Sequence, residues 1–154
     1  MKLLDSIKKE LIVLFFSMVP VIELRGSIPL GISLGLNPIH SAIISVIGGF
    51  LTSFFLLRLL SPLMKYFENT RLFNSTIGWV KRRSMRKAGT IKKYSLIGLF
   101  FFVAIPLPTT GVWTASVIAT ILKLDSRKAF ISMSLGIVVA ASIVLGLYYG
   151  IFGS

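Results

Sequence analysis

Apolar positions fall in four blocks along the chain, and two of the blocks are unbroken. Residues 39–60 are apolar apart from a few hydroxyls and glycines, with His40 and Arg58 near the two ends, and residues 129–154 contain no charge. A helix of about 20 apolar residues crosses the hydrocarbon core of a bilayer, so each of these blocks predicts one transmembrane helix. The other two blocks are interrupted by residues that helices in lipid avoid. Residues 11–36 are cut by Pro20, Glu23, Arg25, Gly26 and Pro29, and residues 94–122 by Pro106, Pro108, Thr109, Thr110 and Gly111. Each half is about 11 or 12 residues, roughly 16 to 18 Å of helix, which reaches the middle of a bilayer and not its far side. Two such arms predict a re-entrant hairpin. Laid end to end as a broken helix, the same arms are long enough to cross, and length alone leaves both open.

The two halves of the chain share one plan. An apolar arm ends in Pro20 or Pro106, a polar break follows, and then comes a second arm rich in small residues. A cap pair, Asn37-Pro38 or Asp125-Ser126, precedes an uninterrupted span. The offset runs from about 86 residues at the prolines to about 88 at the caps, as expected for an internal repeat. One full crossing per unit turns the second unit upside down relative to the first, the inverted-repeat arrangement of many transporters. The predicted fold is therefore an all-α integral membrane protein of one domain. Repeat 1 covers residues 11–60, a basic segment 61–93, and repeat 2 residues 94–154.

Composition agrees with lipid as the solvent. Of 154 residues, 55% are hydrophobic and 14% charged, against about a quarter charged in water-soluble domains, and the mean hydropathy is +0.87. The net charge of +12 does not make a nucleic-acid binder, which needs its bases on a water-exposed surface. The bases gather instead in segment 61–93, where Lys65, Arg71, Lys81, Arg82, Arg83, Arg86, Lys87, Lys92 and Lys93 face one acid, Glu68. The positive-inside rule places that segment in the cytoplasm. With Leu72, Phe73, Trp79 and Val80 among the bases it suits either an interfacial helix on anionic lipid head groups, through Lys81, Arg82, Arg83, Arg86 and Lys87, or a solvated loop that fixes orientation. Lys2, Lys8 and Lys9 ahead of an apolar run have the outline of a secretory signal, but Glu23-Leu24-Arg25-Gly26 offers no small-residue cleavage site, so the segment is expected to be retained.

Glu23 and Arg25 carry the strongest chemical signal. Charges in hydrocarbon cost at least about 2.5 kcal/mol each, so something compensates. The pair is expected to bind one another or backbone carbonyls freed around Gly26 and Pro29, and also to serve a site. A carboxylate facing a hydrated cavity takes and releases a proton, while a guanidinium grips an anionic group such as phosphate. Gly26, Pro29 and Gly31 are expected to open the first break. In the second, Pro106, Pro108, Thr109, Thr110 and Gly111 supply hydroxyls without charge, and a half-helix starting near Val112 turns free N–H groups toward the midplane. Trp113 packs on the facing hairpin or stacks on a ligand. His40 belongs at the interface, and Arg58 snorkels toward it. Without Cys, with one His and five carboxylates, no metal cluster or Ser/His/Asp set can be assembled, so neither an enzyme nor a cofactor is expected.

The runs Glu23-Leu24-Arg25-Gly26-Ser27-Ile28-Pro29 with Gly31, and Pro106-Leu107-Pro108-Thr109-Thr110-Gly111-Val112-Trp113-Thr114, resemble the two signature motifs of the small multidrug export proteins, distant relatives of the DedA (SNARE-associated, VTT-domain) membrane proteins. The resemblance covers nearly the whole chain. It implies two inverted hairpin-plus-span units with Glu23 and Arg25 near the membrane centre. For the wider superfamily it implies movement of lipids, including phospholipids and polyprenyl phosphates, with a link to the proton gradient. Thr109 and Ala115 stand where glycine is common in the family. The second hairpin lacks the arginines of DedA proteins proper, so a two-arginine phosphate clamp does not carry over. The expected function is transport of lipid, lipid-phosphate or amphipathic small molecules across the cell membrane, with proton coupling through Glu23. The alternative is a scaffold whose basic segment recruits anionic lipid or a partner. Gly48-Gly49 and Ser134 with Gly136, Ala140 and Ala141 permit close helix contact, either between two copies in a homodimer or within one chain.

Overall fold

The structure, a computed structural model, describes residues 2–67, 88–106 and 110–153. The described residues form six helices and no strand: α1 (Lys2–Met18), α2 (Glu23–Ser33), α3 (Pro38–Phe67), α4 (Ala88–Ala104), α5 (Val112–Ile121) and α6 (Ser126–Phe152). Two of them, α3 and α6, are long and apolar enough to cross a membrane.

The helices are longer than the apolar blocks. α1 and α4 have 17 residues each, or about 25 Å, because Lys8, Lys9 and Lys93 are good helix formers that extend the arm toward water. Likewise α3 has 30 residues and runs through Pro62 into the basic segment. The first break also lies elsewhere than expected. Helix stops at Met18 and resumes at Glu23, so the irregular stretch holds Pro20, and Gly26, Pro29 and Gly31 sit inside α2 rather than opening it. The chain turns here through Val21 at φ 78° and Glu23 at φ 47°, a region that a β-branched residue rarely enters.

The ends of α2 and α5 are built alike. Gly35 at φ +85° donates to the Ile32 carbonyl and Leu36 to the Gly31 carbonyl, closing α2 with a Schellman motif. Lys123 at φ 51° and Leu124 do the same on Thr120 and Ala119. Asn37 then caps α3 through the Ile39 amide, and Asp125 caps α6 through the Arg127 and Lys128 amides. The whole turn recurs about 88 residues further on, as the sequence pattern anticipates.

Packing fixes the directions. α2 lies back along α1, with Gly35 facing Lys9 and Gly31 against Val13. α3 runs the same way as α1, joined by His40 to Glu10 at 3.2 Å and by Gly48 against Ser17. α4 and α6 are likewise parallel, through the Ser132 hydroxyl on the Leu96 carbonyl and Gly136 against Phe100 and Val103. Between the two halves α3 and α6 run antiparallel, with Gly49 on Ile137 and Phe54 on Phe130 at 6.2 Å between rings. Gly48, Gly49, Gly136, Ala140 and Ala141 are buried within the single chain, so the close contact that they permit is made here between its own helices.

The interior is small and hydroxyl-rich, and the outside is greasy. Ser17, Ser27, Ser41, Ser45, Thr52, Ser53 and Ser116 are buried, each bonded, as in Ser27 to Ser45 at 2.7 Å and Ser41 to the Ile28 carbonyl at 3.0 Å. Exposed rows of Ile39, Ile43, Ile47, Leu51, Phe55 and Leu59 on α3, and of Ile131, Leu135, Val139, Ile143 and Leu147 on α6, descend in steps of four. A water-soluble domain does not expose such continuous apolar faces, whereas lipid removes the penalty and leaves close packing and hydroxyls to hold the helices together.

Candidate functional site

Two interrupted helical arms must each leave unpaired backbone groups: carbonyls where the first arm ends and amides where the second begins. The two breaks meet and satisfy one another. α4 ends at Ala104, and Arg25 Nη2 donates to the next carbonyl, Ile105, at 3.1 Å and to Thr110 Oγ1 at 3.2 Å, while Thr110 Oγ1 itself donates to the Ile105 carbonyl at 2.9 Å. A cation thus sits on the negative end of α4. α5 starts at Val112 with Gly111 as its N-cap and no side-chain cap of its own. Its positive end is closed by Glu23, whose Oε1 accepts from the Trp113 amide at 3.3 Å, with the Val112 amide also engaged. In return, Trp113 Nε1 donates to the carbonyl of Met18, the last residue of α1, at 3.0 Å.

The acid and the base therefore take opposite ends of the second break, matching charge to helix dipole at both. They do not form a salt bridge with each other. Glu23 is 7% exposed, and its carboxylate lies so close to Gly111 that a Cβ there would collide with it. Gly111 is extended, at φ −176°, so glycine is required by the close approach and not by its backbone angle. Beside this clamp lies an open cleft of about 260 Å³, lined by Pro20, Val21, Glu23, Arg25, Thr110 and Trp113 among others. Val21, 84% exposed, holds its unusual angle at the cleft's edge, the kind of strained residue that gathers at working sites.

Of the residues singled out from the sequence, Glu23, Arg25, Thr110, Gly111 and Trp113 come together. Pro106 follows α4 at the rim of the break. Gly26 packs within α2 against Ile22, and Pro29 is exposed on the same helix. Pro108, Thr109, Lys81, Arg82, Arg83, Arg86 and Lys87 lie outside the described residues. The participants that sequence reasoning did not name are backbone carbonyls, of Met18 and Ile105, together with Val21 on the cleft, which Thr114 at the end of the second motif also lines. The carbonyls have only one sequence signal, the break itself. No group of three or more His, Cys, Asp or Glu that could hold a metal ion occurs among the described residues.

A family model described as "Putative small multi-drug export protein" matches residues 23–143. The chain belongs to this family. The match starts at Glu23 and takes in the second break, α3 and most of α6, so Glu23, Arg25, Ile105, Thr110, Gly111 and Trp113 lie inside the part shared with the small multi-drug export proteins, whereas the first break and the Met18 carbonyl precede it. Family description and apolar helices together make this a membrane protein of an export family. No curated protein and no solved structure matches the chain.

Proposed function

We propose that this small multi-drug export protein is a proton-responsive membrane transporter whose two hairpins, α1–α2 and α4–α5, enter the bilayer from opposite faces as an inverted repeat and meet at its centre. The antiparallel course of α3 and α6, the parallel pairing of each first arm with its own long helix, and the recurring turn at Gly35 and Lys123 support this reading. α3 and α6 are then the full crossings of a multi-pass protein, with segment 61–93 in the cytoplasm. The observation that carries the function is that Glu23 holds the N-terminus of α5 while lining, with Arg25, an open cleft.

A deprotonated Glu23 keeps the clamp shut, since the amides of Val112 and Trp113 bond best to a charged acceptor. A proton on the carboxylate removes that charge, weakens the hold on α5 and lets the two tips part. Arg25 can then trade the Ile105 carbonyl and Thr110 hydroxyl for an anionic group on the cargo. The cargo class is an amphipathic small molecule, lipid or lipid phosphate, whose apolar part meets Val21, Pro20 and Trp113. The test is flux in proteoliposomes with Glu23→Gln, which keeps shape and an acceptor oxygen but cannot titrate. The variant folds and inserts, and its pH-dependent flux is lost. Flux equal to that of the parent at every pH would overturn the proton role.

A further inference from the structure

A second cleft lies far from the clamp, where the C-terminal half of α3 meets the start of α6. It has a volume of about 520 Å³ and is lined by Phe54, Leu57, Arg58, Ser61, Arg127 and Phe130, with Ser126 beside them. Its chemistry is split. Phe54, Leu57 and Phe130 make an apolar floor, whereas two guanidinia and two hydroxyls make the rim, and among the described residues no acid lines it. No ion pair among the described residues engages Arg58 or Arg127. The nearest acid in sequence, Asp125, is exposed and bonded to the Arg127 and Lys128 amides, and it attracts the Arg127 charge only across solvent, without an ion-pair contact. It thereby occupies the helix end, so the rim binds through side chains.

Depth gives the cleft its meaning. From Pro38 to Arg58 α3 rises about 30 Å, the thickness of the hydrocarbon core, and the contact of Phe54 with Phe130 brings the first turn of α6 to the same level. With α3 crossing from Pro38 at one face of the core, both guanidinia fall at the level of the lipid phosphates of the other face, above a floor at acyl-chain depth.

We infer that this cleft is a binding site for one anionic phospholipid, with its phosphate held between Arg58 and Arg127, Ser61 and Ser126 as hydroxyl partners, and an acyl chain laid on Phe54, Leu57 and Phe130. Arginine suits phosphate because its planar fork gives two parallel bonds. A choline head group would bring a cation to a rim that already carries two. The cleft volume is that of an ordinary ligand site.

The site is tested on the full chain in non-ionic detergent by titration calorimetry with dioctanoyl phosphatidylglycerol, dioctanoyl phosphatidylcholine and sodium phosphate. The phosphatidylglycerol binds at least about tenfold tighter than the phosphatidylcholine, a difference lost in Arg58→Gln/Arg127→Gln. Both side chains are exposed, and Arg58→Lys/Arg127→Lys, which keeps the charge, guards against a folding defect by retaining preference for the anionic lipid. Equal affinity for the two lipids, or unchanged binding in the Gln double variant, overturns the inference. Displacement of the lipid by sodium phosphate at equal concentration overturns it in favour of a free-anion site. Glu23→Gln leaves this binding unchanged, which separates it from the transport proposal.

Discussion

Replacing Gly111 by Ala tests the clamp with a single methyl group. The new Cβ would collide with the Glu23 carboxylate, so the acid must leave the amides of Val112 and Trp113 or α5 must shift. A hydrogen bond to a charged group contributes about 1.5–3 kcal/mol, and an anion at a helix N-terminus adds up to about 1 kcal/mol more. Ala is also a poorer N-cap than Gly by about 0.5–1 kcal/mol. Gly111→Ala should therefore destabilise the protein by about 2–5 kcal/mol, read as the shift in midpoint when the protein in mixed micelles is titrated with a denaturing detergent. The same substitution made on Glu23→Ala has no carboxylate to strike, and only the N-cap difference of about 0.5–1 kcal/mol remains. Such a double-mutant cycle isolates the contact. An equal penalty in both backgrounds would refute the reasoning, since the methyl group would then be acting on something other than Glu23.

Arg25→Gln loses the bonds to the Ile105 carbonyl and Thr110 hydroxyl and should cost about 1.5–3 kcal/mol in the same titration; a cost near zero would remove Arg25 from the clamp. Gly48→Ala strikes Ser17 and the Leu14 carbonyl, whereas Gly146→Ala meets nothing within 4 Å. The first should lower the thermal midpoint and the second leave it unchanged or raise stability by up to about 1 kcal/mol through helix propensity. Asp125, held below its ordinary carboxylate value of 3.8 chiefly by the Lys128 amide, contributes stability that is present above that value and lost as the pH falls through its lower folded value. Asp125→Asn keeps the cap and should flatten unfolding midpoints in that acid range, while leaving those near neutrality almost unchanged.

How the sequence foretold this molecule is clearest at the caps and least clear at the breaks. Asn37-Pro38 and Asp125-Ser126 start α3 and α6 because capping chemistry is local: an oxygen two or three residues ahead of an amide suffices. The two long apolar blocks likewise become α3 and α6, since a run without interruption leaves helix as the means of pairing its backbone in lipid. Helix ends were less legible. Hydropathy falls at Lys8, Lys9 and Lys93, but helix propensity does not, and α1 and α4 continue through them. Gly26 and Pro29 were expected to open the first break, yet α2 contains both; the turn falls at Pro20 and Val21, where the chain takes a positive φ that composition does not announce. At the site, the presence of compensation for Glu23 and Arg25 could be read from the cost of their charges. The partners could not, because they are the ends of helices about 80 to 90 residues away, and a backbone carbonyl has no letter in the sequence. That the two charges take separate helix ends rather than each other follows from dipoles that exist only once both breaks have formed.

The most direct test of the whole account is topological. Asn37→Cys and Ser126→Cys, each made in this cysteine-free chain, are exposed in sealed, oriented membranes to a thiol reagent that cannot cross. Two opposed hairpins require Asn37→Cys to react from the face that carries the N-terminus, and Ser126→Cys from the other face, which carries segment 61–93. Reaction of both from one face would mean that each broken arm crosses the membrane, and the meeting of two tips at its centre would be contradicted.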